Sequence, residues 1–298
     1  MNALLFAFVV VVWGVTWYAI KLQLGATPPE VSIFWRFFLS ALIIWAGLAA
    51  TGRLRWAPWR GHFWFAALGL VLFCLNFLCF YNAESFVASG VVSVVFSMAS
   101  AFNVGNQWLF RGLRPTPRVV FGALLGALGV ACLFADQLGA TATGGRAAIG
   151  VALALGGAYC FSLGNLASLP ATRAAGDLAN AVARSMSWGA AFLALVVAAR
   201  GLSFTPSLQP VYLGALIYLA AFGSVLGFLA YLALVSRIGP ERAAYTTVLS
   251  PVIALALSWL LEGYVWTDWA FLGAPLILIG NVVIFWRASA TTRRAAGN

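Results

Sequence analysis

The stretch VLSPVIALALSWLLEGYVW, residues 248–266, is apolar almost throughout, yet it carries Pro251 near its start and Glu262-Gly263 near its end. Its length and hydropathy suit a helix crossing a bilayer, and its glutamate and glycine mark where that helix stops. The proline removes a backbone donor and crowds the carbonyl of Thr247, four residues earlier. In lipid a freed carbonyl is tolerated only against protein or a water-filled cavity. The neighbouring hydroxyls of Thr246, Thr247 and Ser250 could serve it. Two readings therefore stand: a kinked packing helix, or a turn around Thr246–Pro251 that faces a cavity.

The rest of the chain is of the same kind. It is 63% hydrophobic and only 8% charged, with a mean hydropathy of +0.97, against about 25% charged residues in a soluble domain. Ten apolar runs fit as spans, near 3–21, 30–50, 62–82, 88–110, 117–135, 147–167, 178–199, 210–235, 241–261 and 267–286. The first run continues past Trp13 and is long enough to span, so it reads as a membrane helix and not as a cleaved leader. Turn-forming joints such as GATPPE, RGLRPTP and SRIGPER separate the runs. The fold class is an all-α polytopic membrane protein.

Orientation follows from the cations. With a cytoplasmic N-terminus, the inner joints hold twelve arginines and the outer joints only Lys21, Arg146 and Arg200, which satisfies the positive-inside rule. Both termini are then cytoplasmic. The same bias accounts for the formal net charge of +10. Nucleic-acid binding would need that charge gathered on a soluble module, so no nucleic-acid partner is expected.

The second half of the sequence echoes the first. At an offset of 151, FGALLGALGV (121–130) lies over LGAPLILIGN (272–281), matching Gly122, Ala123, Leu125 and Gly129 to Gly273, Ala274, Leu276 and Gly280. The same offset sets Arg111-Gly112 over Glu262-Gly263, Phe80 over Tyr231, and Ser100 over Pro251. Five spans per repeat is an odd number, so the copies face opposite ways. Inverted repeats are a transporter architecture, with the site near the midplane between the copies. The repeats are assigned to residues 1–140 and 141–298.

Four stretches carry a family resemblance: WGVTWYAIK (13–21), PPEVSIFWRF (28–37), SRIGPERAAYTTVLSPVIALALSWLLEG (236–263) and LGAPLILIGNVVIF (272–285). With them the sequence resembles the drug/metabolite transporter superfamily in its ten-helix form with two EamA-type repeats. Within it, the chain looks most like aromatic amino acid exporters of bacterial inner membranes. The resemblance implies export of small organic metabolites by alternating access. The first repeat departs from the pattern, with Ser100 where the family often has proline and Arg111 where it often has glutamate.

Polar and ring-bearing residues inside spans are the candidates for a substrate cavity. The polar set is Asn76, Ser97, Ser100, Asn165, Thr246 and Ser250. Some of these are expected to be interhelical glue, at about 0.6 kcal/mol each. Trp17, Tyr18, Phe80, Tyr81, Tyr159, Tyr231 and Tyr245 could stack on a planar substrate. Gly14, on the face shared by Trp13 and Trp17, and Pro251 are the hinge candidates. Arg36 and Arg184 are read as structural charges near span ends, snorkelling or bonding carbonyls. No acid falls clearly in mid-span, so coupling through a buried carboxylate is not expected. Lys21 and Glu84 lie near outer span ends.

An enzyme is not expected, because His62 is the only histidine and no metal-ligand cluster or phosphate loop is present. No cofactor is implied. The partners are a small-molecule substrate and the lipid bilayer, with a monomer or weak homodimer as the assembly. A channel-like facilitator, or a carrier of other metabolites or drugs, remains the alternative.

Overall fold

The computed structural model describes residues 2–139, 144–238 and 245–285. These form ten helices: α1 (Asn2–Lys21), α2 (Pro29–Ala50), α3 (Gly61–Ala83), α4 (Ser89–Phe96, then Ala99–Arg111), α5 (Pro117–Gly139), α6 (Gly144–Ala175), α7 (Leu178–Ala199), α8 (Pro210–Tyr218, Leu219–Leu226 and Gly227–Ile238), α9 (Tyr245–Leu261) and α10 (Asp268–Phe285). Six are long and apolar enough to cross a membrane unaided by any allowance. Three more, α5, α9 and α10, carry shorter apolar stretches, and α4 is a crossing made of two pieces. The 140/141 boundary of the repeats falls outside the described residues.

Local chemistry sets the ends. Pro29 opens α2 at a position where a missing N–H costs nothing. The Asp177 carboxylate caps α7 by accepting from the Asn180 N–H at 2.8 Å. Gly112 and Gly263, 151 positions apart, follow the ends of α4 and α9 with φ of 68° and 69°. That left-handed conformation favours glycine, so the equivalent stops in the two halves are made by the same device.

The most extensive helix pairing is α5 against α10, and glycine makes it. A Cβ added to Gly122 would stand 2.6 Å from the Gly280 carbonyl oxygen, and one on Gly129 would stand 2.5 Å from that of Gly273. Residue 122 meets 280 while 129 meets 273, so the helices run antiparallel. The offset of 151 relates Gly122 to Gly273 and Gly129 to Gly280. Each glycine therefore touches the repeat-mate of the other, as a twofold axis between two inverted copies requires.

Several other contacts show the same exchange. Helix α1 packs on α9 and α8, and its counterpart α6 packs on α4 and α3. Helix α2 lies on the middle of α8, and α7 on the middle of α3. The outer faces carry large apolar side chains such as Leu124, Leu128, Leu195 and Ile279, which in a bilayer meet lipid.

Pro251 does not interrupt its helix: α9 runs continuously from Tyr245 to Leu261. The interruption falls in the first repeat, between Phe96 and Ala99 of α4. There the bonds shorten to a three-residue step, from Ser97 N–H to Val94 O at 3.1 Å and from Met98 N–H to Val95 O at 3.0 Å. The hydroxyls of Ser93 and Ser97 donate back to Gly90 O and Val94 O, both at 2.6 Å. Such back-bonding bends helices, so serines perform here what proline does not do in α9.

The glycine contact gives the first prediction. Gly129→Val puts methyl groups where backbone now stands, and it is expected to destabilise the protein by about 2 kcal/mol or more. Gly47→Ala, at a helical site with nothing within 4 Å of an added Cβ, should leave the protein intact. Size-exclusion profiles and melting in detergent would decide: a monodisperse, wild-type-like Gly129→Val protein would contradict backbone contact between α5 and α10.

Candidate functional site

A narrow cavity lies between the two repeats. Helix α1 contributes Trp13, Thr16, Trp17 and Ile20, α2 contributes Arg36, and α3 contributes Asn76, Phe77 and Phe80. Phe96 comes from α4, Phe161 from α6, and Gly223 and Phe228 from α8. The space open to water-sized molecules is about 50 Å³, enough for a few waters.

Both walls owe their geometry to the same backbone irregularity. Gly69–Leu75 in α3 and Leu219–Leu226 in α8 are wound as π-helix, and the two segments fall at nearly equivalent places in the repeats. Each ends on a five-residue hydrogen bond: Asn76 N–H to Val71 O, and Gly227 N–H to Phe222 O. The wider turn rotates the residues that follow it. Phe77 and Phe228, which are 151 apart, are both delivered into the cavity this way. Such π-turns recur at functional sites.

The rings form one continuous edge-to-face cluster. Trp17 stands 5.1 Å from Phe80 at 76°, Phe80 5.4 Å from Phe96 at 87°, and Phe96 4.9 Å from Phe161 at 88°. The break in α4 directly follows Phe96. Gly157 in α6 lets the helix come close to Phe80, whose ring would be 2.5 Å from an added Cβ. The Asn76 side chain donates to Gly157 O at 2.8 Å, tying α3 to α6 at the cavity's edge.

Arg36 is the charged group of this wall. It is 1% exposed, so of the two structural roles the sequence allows, snorkelling and bonding within the protein, it does not snorkel. It sits two turns inside α2, and α2 is covered by the π-segment of α8, so the side chain has no path to an interface. Its Nε donates to Ser224 Oγ at 3.0 Å, and its guanidinium lies 4.4 Å from the centre of the Phe77 ring. Its Nη1 is buried without a hydrogen-bond partner. Arg184 behaves differently. It donates to Asn180 O, to Asn180 Oδ1 and to Arg55 O, and it lies over Trp45. It fastens the 53–60 joint to α7, helped by the Arg55–Asp177 ion pair at 3.3 Å.

Of the residues singled out in the sequence, Trp17, Asn76 and Phe80 line the cavity. Tyr231 abuts it through Trp13, with ring centres 5.0 Å apart. Tyr18 is half-buried outside the lining. Tyr81 is fully buried and donates to Gln23 Oε1 at 2.8 Å; it is not in the cavity lining but interacts with Arg36, which is. Tyr159 is exposed and packs on Phe102. Ser97 accepts from Asn281 Nδ2 at 3.0 Å, joining α4 to α10, and Asn165 donates to Asn103 Oδ1 at 3.2 Å, joining α6 to α4. Ser100, Thr246 and Ser250 are buried in packing positions. The Tyr245 side chain lies outside the described residues. Gly14 is a contact glycine, with an added Cβ 2.6 Å from Ile253 in α9, which places it beside Pro251.

Half of the lining residues not singled out are phenylalanines, which carry no polarity to mark them. Phe77, Phe96, Phe161 and Phe228 look like any membrane-helix residue. The offset of 151 linking Phe77 to Phe228 was the available signal.

Glu84 follows α3 at the end of the bundle where Lys21 lies. It is fully buried, and both carboxylate oxygens lack hydrogen-bond partners. The Lys21 ammonium bonds the Glu84 main-chain carbonyl at 2.7 Å and not its carboxylate. Burial, reinforced by the negative Glu262, holds the Glu84 carboxyl well above the usual carboxylate range, against the opposing pull of Lys21 and Arg36. Glu262 itself accepts from the Ser89 N–H and hydroxyl.

Ten helices arranged as inverted repeats around an aromatic cavity define a class of membrane transporters. The chain belongs to the EamA-like transporter family, whose profile matches residues 1–135 and again 148–286. It is thus a transporter and not an enzyme. It is 26% identical over 275 residues to the uncharacterized inner membrane transporter YedA of Escherichia coli (strain K12), covering 92% of this chain and 87% of that protein. It is 26% identical over 289 residues to a probable amino-acid metabolite efflux pump of the same organism, covering 94% and 93%. A crystal structure of 18% identity shares the fold with a TM-score of 0.65, over 97% of this chain and 98% of that one.

Glu84 supplies the second prediction. The folded protein keeps this proton at pH values where the unfolded chain, with a glutamate pKa of about 4.3, has released it. Stability therefore falls as pH rises from that value toward the folded one. Glu84→Gln should raise the melting temperature at pH 8 by at least about 2 °C and flatten its pH dependence between pH 5 and 8. An unchanged slope in detergent melts would mean that Glu84 is ionised in the folded state.

Proposed function

We propose that this transporter exports small organic metabolites, amino acids with aromatic side chains among them, across the bacterial inner membrane. The observation that carries the reading is the ring-walled cavity at the junction of the repeats. Offset and edge-to-face ring contacts contribute about 0.5–1.5 kcal/mol beyond area burial, so such walls favour a flat apolar body. The inner-membrane assignment and the amino-acid class draw support from the names of the two relatives.

The cavity is too contracted for an amino acid in this conformation, so the walls must part to admit one. Alternating access follows, with repeats 1–140 and 141–298 moving about the α5–α10 contact. Both termini then lie in the cytoplasm, and the joint holding Arg53, Arg55 and Arg60 lies on the same side.

Two measurements test this. In liposomes holding the purified protein, labelled phenylalanine is expected to show saturable counterflow, and Phe80→Ala or Trp17→Ala should weaken it about 5-fold or more. Flux that rises linearly with concentration would indicate a channel-like facilitator instead. Cysteines introduced at Arg60 and Arg114 should react with an impermeant reagent only from the cytoplasm, and one at Thr267 only from outside. The reverse labelling would overturn the orientation.

A further inference from the structure

We infer that Arg36 is the anchor for a substrate carboxylate, and that the cavity selects apolar or aromatic carboxylates whether or not they bear an amino group. This rests on reading the cavity as a substrate site.

A guanidinium is charged at any working pH and offers five donors. Here Nε is spent on Ser224 Oγ at 3.0 Å. That bond and the rings of Phe37 and Phe77, 5.4 and 4.4 Å from the guanidinium carbon, fix the plane of the fork. Nη1 is buried and unpartnered. On the other edge, an added Cβ at Gly223 would stand 3.5 Å from Nη2 and 3.0 Å from Thr16 Oγ1. The absence of a side chain at 223 keeps that edge clear.

A charge held this way needs an anion. The ion pairs among the described residues are Arg55–Asp177 and Arg200–Glu30, and neither involves Arg36. Glu84 acts on Arg36 electrostatically but forms no hydrogen bond with it. A carboxylate entering the cavity matches the fork in a planar, two-bond geometry that no single point charge would give. The rest of the wall is rings. None of the described side chains lining the cavity is acidic, so nothing there pays for an ammonium group by charge. The pocket distinguishes acid from amide or amine, and it has no corresponding device for the α-amino group.

The test uses one ring with three sets of polar ends: phenylalanine, 3-phenylpropionate and phenethylamine. In thermal-shift titrations and liposome uptake with the wild-type protein, the two carboxylates are expected to bind and cross, and the amine to do neither. Arg36→Gln should weaken 3-phenylpropionate binding on the order of 30-fold or more, and Arg36→Lys less, with both checked for a monodisperse profile. Equal affinity for phenethylamine and phenylalanine, or unchanged carboxylate affinity in Arg36→Gln, overturns the anchor and leaves amino-acid export standing. Transport of 3-phenylpropionate without phenylalanine supports the anchor and removes the amino-acid reading. Failure of all three compounds to bind removes both. Should Arg36→Gln not fold, the wild-type ligand series alone decides.

Discussion

The backbone contact between α5 and α10 is the constraint on which the rest of this molecule is arranged. In lipid there is no hydrophobic force to draw two helices together, so association depends on close packing. Glycines 122, 129, 273 and 280 permit that packing and leave no room for any larger residue. Because the four are two pairs of repeat-mates in reciprocal contact, the joint is also where the pseudo-twofold axis passes. The main helix pairings follow the exchange this axis imposes, which sets α1 against α9 where α6 meets α4.

Upon that scaffold the cavity is made by departures from regular helix. The π-turns of α3 and α8 carry Phe77 and Phe228 inward from equivalent positions, and the serine-bonded break in α4 follows Phe96. A straight helix would keep its side-chain stripe in register with its packing face and would aim fewer rings at one point. The irregularities are thus local in the backbone and collective in their result. Arg36 adds the polar element. It belongs to one repeat only, since the residue 151 positions on is Ser187, which accepts from the Trp45 indole N–H at 3.1 Å.

Much of this was legible in the sequence. Hydropathy and joint chemistry placed the ten helices, including α7 at residues 178–199, because span length is dictated by the bilayer. The offset of 151 was readable because close packing demands glycine and glycine is conspicuous. The cavity was harder to read. Among the polar candidates, Ser97 and Asn165 bond between helices and Ser100 is buried, since a hydroxyl or amide is as useful between helices as in a cavity. Trp17, Asn76 and Phe80 carry a ring or an amide at sites the sequence marks, whereas Phe96 and Phe161 carry no such mark, because a phenylalanine facing a cavity and one facing lipid look alike in one dimension. Pro251 alone does not tell whether its helix breaks. Its effect depends on whether neighbours satisfy the freed carbonyl, and that is settled in three dimensions. The sequence leaves Arg36 either snorkelling or bonding within the protein, because its depth depends on what covers α2.

The broken α4 and the unbroken α9 have a consequence for energetics. Two identical inverted copies would possess a mirror state, reached when each copy adopts the other's shape, and the two states would be isoenergetic. Here the exchange would require α4 to straighten against its own serine hydroxyls and α9 to open at a proline it now accommodates. The degeneracy is lifted by the sequence alone, before any ligand is present. Under the alternating access proposed above, the protein would have a ground state with a built-in sidedness, and a substrate could reset the balance only by the difference in its affinity for the two shapes.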